Sequence, residues 1–269
     1  MESFKNKVAV VTGGSDGIGR AIVLALLRQG CKVATCARNY DKLYALKASH
    51  PDEHSLFIYT ADVSKEQDCE IFIQKTIQQF GTIHILVNNA GVSMRGLFMD
   101  TGLDTFRKLM DVNFWGNLYC AKLALPHIIK NKGSLVGISS IAGFRGLPGR
   151  SGYSASKFAV NGWMEALRTE LLETGVNVLT VCPGYTASNI RSAALTEDGK
   201  PQGSSPLDED EMMSADECAE FILEAIEKRK RTLILTGTGK RTVILNRFFP
   251  TLTDKLTRKF YYKDGRLIK

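Results

Sequence analysis

The chain has 269 residues, 44% hydrophobic and 23% charged, with 24 Gly and 7 Pro. That is enough to bury a full core without disulfides or metals, and the composition excludes disordered, fibrous and cysteine-stapled classes. The net charge of +7 is lopsided: residues 228–269 carry +11 and the rest −4. The basic character therefore belongs to a tail, and no nucleic-acid motif or stacking-aromatic pattern accompanies it, so no nucleic-acid partner is expected.

The first predicted strand, 7–11, is too short for a signal core. No later run reaches the roughly 18 apolar residues of a membrane span, so a cytoplasmic protein is expected. The strand runs into Thr12-Gly13-Gly14-Ser15-Asp16-Gly17-Ile18-Gly19 and a helix over 17–29. Gly13 permits a tight turn, Gly17 a close backbone approach, and Gly19 close packing of helix on sheet. Free N–H groups of the helix start then face a pyrophosphate. A second strand, 32–36, ends at Ala37-Arg38, where an NAD site would carry an acid for the ribose 2′-hydroxyl. A guanidinium there suits a 2′-phosphate, which favours NADP(H) over NAD(H). Asp16 keeps NAD(H) open, because a carboxylate facing a phosphate is poorly placed.

A third strand, 56–60, and a helix over 65–80 lead to a fourth strand, 83–88. It ends in Asn88-Asn89-Ala90-Gly91, small residues and amides that fit beside a cofactor. One long helix is predicted over 104–131 and a fifth strand over 134–139, ending at Ser139-Ser140. A hydroxyl at the carboxyl end of a parallel strand can bond a substrate carbonyl. The next helix, 153–174, opens with Tyr153-Ser154-Ala155-Ser156-Lys157, which puts Tyr153 and Lys157 on one face. A lysine ammonium beside a phenol stabilises the phenolate, lowers its pKa and makes Tyr153 a general acid or base.

A sixth strand, 177–182, ends in Pro183-Gly184-Tyr185-Thr186, placed to cover a nicotinamide. Residues 188–214 form a polar insert expected to be mobile, with an acidic run at 208–211. A helix over 214–228 and a strand over 232–235 complete the pattern. The strands are apolar throughout rather than alternating, as in sheets covered on both faces. The expected fold is α/β, a doubly wound parallel seven-stranded sheet in a single domain. Residues 1–236 form its dinucleotide-binding and catalytic part. Residues 237–269 form a basic amphipathic extension in which Phe249, Leu252, Leu256 and Phe260 fall at helical spacing. That face suits a membrane surface, a cover for the substrate cleft or a subunit interface. The six cysteines show no ligand-like spacing and are expected to be reduced and mostly buried, with no metal site.

TGGSDGIG, NNAG, a central Asn, SS, YSASK and PG stand in the order and spacing of the short-chain dehydrogenase/reductase family. Over residues 5–188 the sequence resembles that family, which implies a Rossmann fold and hydride transfer between a nicotinamide dinucleotide and a carbonyl or alcohol. The resemblance implies that Tyr153 donates the proton and Lys157 holds the nicotinamide ribose. It further implies that Ser140 polarises the carbonyl and that Asn113 anchors a proton-relay water. Asp62 and Val63 would bracket the adenine, Ile18 and Asn89 would line the cofactor cleft, and Ser188 or Thr186 would supply a hydroxyl contact. It also implies a homodimer or homotetramer. The stretch 190–203 and the tail loosely resemble membrane-associated reductases of long-chain ketone lipids, the acyl-dihydroxyacetone-phosphate reductase-like and 3-ketodihydrosphingosine reductase-like proteins. A bulky, partly apolar ketone is therefore expected. A small polar ketone, and a redox sensor that binds NADP(H) without turnover, are the alternatives.

Overall fold

The computed structural model describes residues 4–268 except 51, 53, 206 and 210. Met1, Glu2 and Ser3 of the opening stretch, Pro206 and Asp210 of the insert, and Lys269 of the tail lie outside the described residues. In chain order the elements are β1 (Val8–Thr12), α1 (Gly17–Arg28), β2 (Lys32–Ala37), α2 (Tyr40–Ala48), β3 (Leu56–Thr60), α3 (Glu66–Phe80) and β4 (Ile85–Asn88). Next come α4 (Leu103–Met110), α5 (Gly116–Lys130), β5 (Ser134–Ile138), α6 (Ser151–Glu170), β6 (Asn177–Cys182), α7 (Ala215–Glu227) and β7 (Thr232–Ile234). After β7 follow α8 (Gly237–Phe248), α9 (Pro250–Tyr261) and a short antiparallel pair, β8 (Tyr262–Lys263) and β9 (Arg266–Leu267).

The sheet runs β3-β2-β1-β4-β5-β6-β7 with every ladder parallel. β1, β4, β5 and β6 are buried along their whole length, as their uninterrupted apolar runs require. Ile22, Leu26, Val87 and Ile222 join α1 and α7 to one face. Phe72, Leu86, Leu135 and Met164 join α3, α5 and α6 to the other. This is the doubly wound, single-domain architecture expected from the sequence. The strand order reverses between β1 and β4, so a crevice opens at their carboxyl ends, where such folds bind ligands.

Four local differences matter. α2 buries only Leu43 and Leu46, too thin a stripe for its periodicity to stand out, and starts on Asn39, whose side chain accepts from the Lys42 amide. The long helix over 104–131 is instead α4 and α5 joined by a π-helical turn, Asp111–Trp115, that carries Asn113. The tail begins with a helix that Gly237 and Gly239 disguise; the Thr236 hydroxyl caps it by accepting from the Gly239 amide at 3.0 Å. The polar insert, expected to be mobile, is folded back on the body. Arg191 Nε meets Glu209 Oε1 at 2.9 Å, and Leu195 bridges to Met94 and Pro201.

Candidate active site

The glycine-rich loop fills the crevice between β1 and β4. Gly13 and Gly17 take φ of +68° and +50°, the left-handed region that a side chain disfavours. A Cβ on Gly19 would fall 2.2 Å from the Gly13 carbonyl oxygen. Gly19 thus lets the first turn of α1 lie against the end of β1 and against Asn89 beyond β4. Gly14 is equally confined, since its Cβ would fall 2.0 Å from Thr35 Oγ1, and the glycine spacing alone did not single it out. Asn89 braces the loop: its Nδ2 donates to the carbonyls of Thr12 and Gly13 at 2.9 and 3.2 Å. Thr12 Oγ1 accepts from the amides of Asn89 and Ala90, each at 3.0 Å.

Asp16 caps α1, with Oδ1 accepting from the Gly17 amide at 2.8 Å. Its Oδ2 accepts from Lys42 Nζ at 2.5 Å and Asn189 Nδ2 at 2.8 Å. Burial opposes the charge, but these partners hold the carboxyl below the usual carboxylate range. Asp16 is therefore neutralised locally. The next first-turn amides of α1 have no helical partner, so they suit a phosphate group. Half-buried Ser15 completes the loop, and Arg38 stands exposed directly after β2. Beyond β3, Asp62 Oδ1 accepts from the Ser64 amide at 3.1 Å and Ser64 Oγ at 2.8 Å, while Val63 is buried. A row of polar and small groups thus follows the carboxyl ends of β1, β2 and β3, a cradle that fits an extended dinucleotide.

Across the crevice α6 presents Tyr153 and Lys157, both buried. Lys157 Nζ donates to the Ile138 carbonyl at 2.8 Å and lies 5.7 Å from the centre of the Tyr153 ring. Ser140 Oγ accepts from the Ala142 amide at 3.1 Å and stands near enough to Tyr153 to favour loss of its proton. Asn113 is wholly buried one layer behind. Its Oδ1 accepts from the Val92 amide at 2.8 Å, and its Nδ2 donates to the Val92 carbonyl and Ser156 Oγ at 2.9 Å each. Ser156 Oγ in turn donates to the Tyr153 carbonyl at 2.7 Å. The π turn also frees the Asn113 carbonyl, which accepts from Asn117 Nδ2.

The electrostatics correct one expectation. Lys157 was expected to lower the Tyr153 pKa; instead burial raises it, opposed by the nearby Ser140 hydroxyl and by the guanidinium groups of Arg150 and Arg191. Burial also pulls Lys157 down to about 8, with its ammonium turned to a backbone carbonyl. Tyr153 is thus held as a protonated phenol, a proton donor rather than a phenolate.

A cavity of about 660 Å³ opens in front of these groups. Ser140, Tyr153 and Lys157 face it from one side and Ile18, Asn89 and Gly91 from another. Pro183, Gly184, Thr186 and Ser188 close it near the sixth strand. The predicted residues Gly13, Ser15, Asp16, Gly17, Gly19, Arg38, Asp62, Val63 and Ala90 do not line this cavity, and Asn113 supports it from behind. Its outer wall comes from the tail. Leu245, Leu256, Phe260 and Tyr261 line it, and the Tyr261 and Tyr185 hydroxyls meet at 3.2 Å. Arg145 ties this wall down through Asn246 Oδ1 at 3.0 Å and Asp254 Oδ1 at 2.6 Å. All four residues of the tail's helical stripe are exposed, and of them Leu256 and Phe260 also border the cavity while Phe249 and Leu252 do not. Arg150, Arg191 and Tyr261 were not singled out by sequence, because nothing local marks side chains that meet only after folding.

Residues 7–199 match the family described as short chain dehydrogenase. The mouse protein "Dehydrogenase/reductase SDR family member 7B" is 35% identical over 239 residues, 87% of this chain and 74% of the relative. The peanut (Arachis hypogaea) "11-beta-hydroxysteroid dehydrogenase A" is 32% identical, covering 97% of this chain and 77% of its own. Among solved structures, an alcohol dehydrogenase from the archaeon Thermococcus sibiricus complexed with 5-hydroxy-NADP is 28% identical. It covers 85% of this chain and 95% of its own with a TM-score of 0.73. The chain belongs to the short-chain dehydrogenase/reductase family, whose members are oxidoreductases that use a nicotinamide dinucleotide.

Proposed function

We propose that this protein is an NADP(H)-dependent oxidoreductase that reduces a ketone to a secondary alcohol, or runs the reverse, on a bulky, lipid-like substrate. The observation that carries this reading is Tyr153, kept protonated by burial, sharing with Ser140 the wall of a large and mostly apolar cavity. Tyr153 Oη gives its proton to the carbonyl oxygen while Ser140 Oγ hydrogen-bonds the same atom. Lys157 Nζ, with donors to spare beyond the Ile138 carbonyl, holds the nicotinamide ribose. Asn113 fixes the turn at Val92 and the start of α6, and anchors the relay water. The dinucleotide, when bound, supplies the hydride.

Gly13, Ser15, Gly17, Ile18 and Gly19 cradle the pyrophosphate, with Asp16 as the cap of their helix. Asp62 and Val63 flank the adenine, while Asn89, Ala90, Gly91, Pro183, Gly184, Thr186 and Ser188 surround the nicotinamide end. NADP(H) is supported by Arg38 after β2 and by Lys42, which neutralises Asp16. The 5-hydroxy-NADP bound to the archaeal relative supports the same preference. The apolar wall, and the hydroxysteroid in the peanut relative's name, support a bulky substrate. The loose likeness of the tail to reductases of lipid ketones agrees.

Kinetics with NADPH and NADH across short- and long-chain ketones, with Tyr153→Phe as control, test the reading. Faster turnover of long-chain ketones with NADPH, abolished in the control, is expected. Fast turnover of small polar ketones alone would replace the lipid-like substrate. Dinucleotide binding without turnover of any ketone would leave a redox sensor.

No helix among the described residues is long and apolar enough to cross a membrane. Ile244, Phe248, Phe249 and Leu252 are exposed beside Arg247, Lys255 and Arg258, which supports peripheral contact with an anionic membrane from the cytoplasmic side. Sedimentation with anionic against neutral vesicles checks it. Exposed Trp115 and Phe158 support a homodimer or homotetramer, to be read by light scattering.

A further inference from the structure

Arg150 precedes Tyr153 by three residues, at the start of α6, and the residue is 9% exposed. Its Nη1 donates to Ser93 Oγ at 3.2 Å, while its Nε is buried without a partner. No ion pair holds it among the described residues, whereas Arg191 is matched by Glu209 and by the Thr186 carbonyl at 2.7 Å. Lys157 can shed its proton, but a guanidinium cannot. A buried charge with no counter-charge is unfavourable, so such a group is retained where something else supplies the anion.

The position says what that is. Arg150 lines the same cavity as Tyr153, Leu147 and Tyr261. It lies close enough to both phenols to favour their ionised forms. It therefore faces the cavity within electrostatic reach of both the reacting hydroxyl and Tyr261 at the end of α9, and the rest of the cavity surface is mostly apolar. We propose that Arg150 is the anion-binding residue of the substrate site, so that the substrate is an apolar ketone or alcohol carrying a carboxylate or a phosphate a few bonds from the reacting carbon. A planar fork of donors suits either oxyanion. This rests on the reading of the site as a ketone reductase.

The test uses NADPH turnover of three long-chain ketones of equal chain length: a 4-oxo carboxylate, its methyl ester, and a ketone with a phosphate ester next to the carbonyl. The wild type is expected to favour at least one anion over the ester by about tenfold or more in kcat/KM. Preference for the carboxylate or for the phosphate identifies the group. In Arg150→Met the anion-to-ester ratio should collapse towards one, and Arg150→Lys should keep part of it. If Arg150 merely braces Ser93, the variant slows anion and ester alike and the ratio stays put, which overturns the proposal. Equal turnover of anions and ester by the wild type also overturns it, leaves ketone reduction standing, and needs no variant to fold.

If no ketone is turned over, the reductase reading fails first. Calorimetry of laurate and dodecyl phosphate against methyl laurate on the NADP⁺-loaded protein then decides. Anion binding that is selective in the wild type and lost in Arg150→Met upholds the proposal, and binding indifferent to charge or to the substitution rejects it.

Discussion

Tyr153 and Lys157 owe their acidities first to burial. The phenol is raised above its usual value and the ammonium is pulled down to about 8, so Tyr153 holds its proton at neutral pH while Lys157 is poised to lose its own. Tyr153→Phe should lower kcat about 10²–10⁴-fold, read from NADPH oxidation, with dinucleotide affinity changed far less. Lys157 also carries a pH-dependent stability. Its folded pKa lies below its unfolded value of 10.5, so between about pH 8 and 10.5 the unfolded chain binds more protons. This group therefore adds stability as pH rises through that window. The wild type should gain on Lys157→Met by about 2 kcal/mol from pH 8 to pH 10, in urea unfolding. A gap that shrinks with pH would contradict the burial argument. Tyr153 and Lys157 were legible because four-residue spacing on a helix is a local property. The sign of the Tyr153 shift was not, since burial and the two nearby guanidinium groups are tertiary facts.

The π turn shows what a periodicity cannot. Residues 104–131 have a helical pattern, and nothing in it signals that Asp111–Trp115 widen by one residue to turn Asn113 inward. Asn113→Ala would remove three buried hydrogen bonds and orphan the Val92 amide and carbonyl. A loss of about 2–4 kcal/mol is expected in denaturant unfolding, more than an exposed asparagine would give. The glycine loop was legible in position but only partly in reason. Gly19→Ala should weaken dinucleotide binding at least about tenfold by titration, because its methyl group collides with the Gly13 carbonyl and the turn must open. α2 and α8 went unread because one has a two-residue apolar stripe and the other starts on two glycines.

For the whole molecule, the doubly wound parallel sheet was legible in the alternation of strand and helix and in strands apolar on both faces, whereas the order of its strands is a tertiary fact. The six cysteines are free and buried, and burial pushes Cys31, Cys182 and Cys218 up to about 12. A thiol reagent at about pH 8 should label none in the native protein and all six after unfolding. Rapid labelling without denaturant would show that the core opens. The path of the tail was illegible, because its partners lie far back in the chain: Arg145 reaches Asn246 and Asp254 across 101 and 109 positions.

That long reach has a practical corollary. The proton donor and the glycine loop are encoded before residue 160, whereas Leu245, Leu256 and Tyr261, which shape what enters, come near the end. A relative's residues 237–268 grafted onto this scaffold should transplant its taste in ketones while the hydride-transfer machinery is left untouched. The joint to preserve is Gly149, whose φ of +69° disfavours a side chain and which lies against Leu267 of the graft.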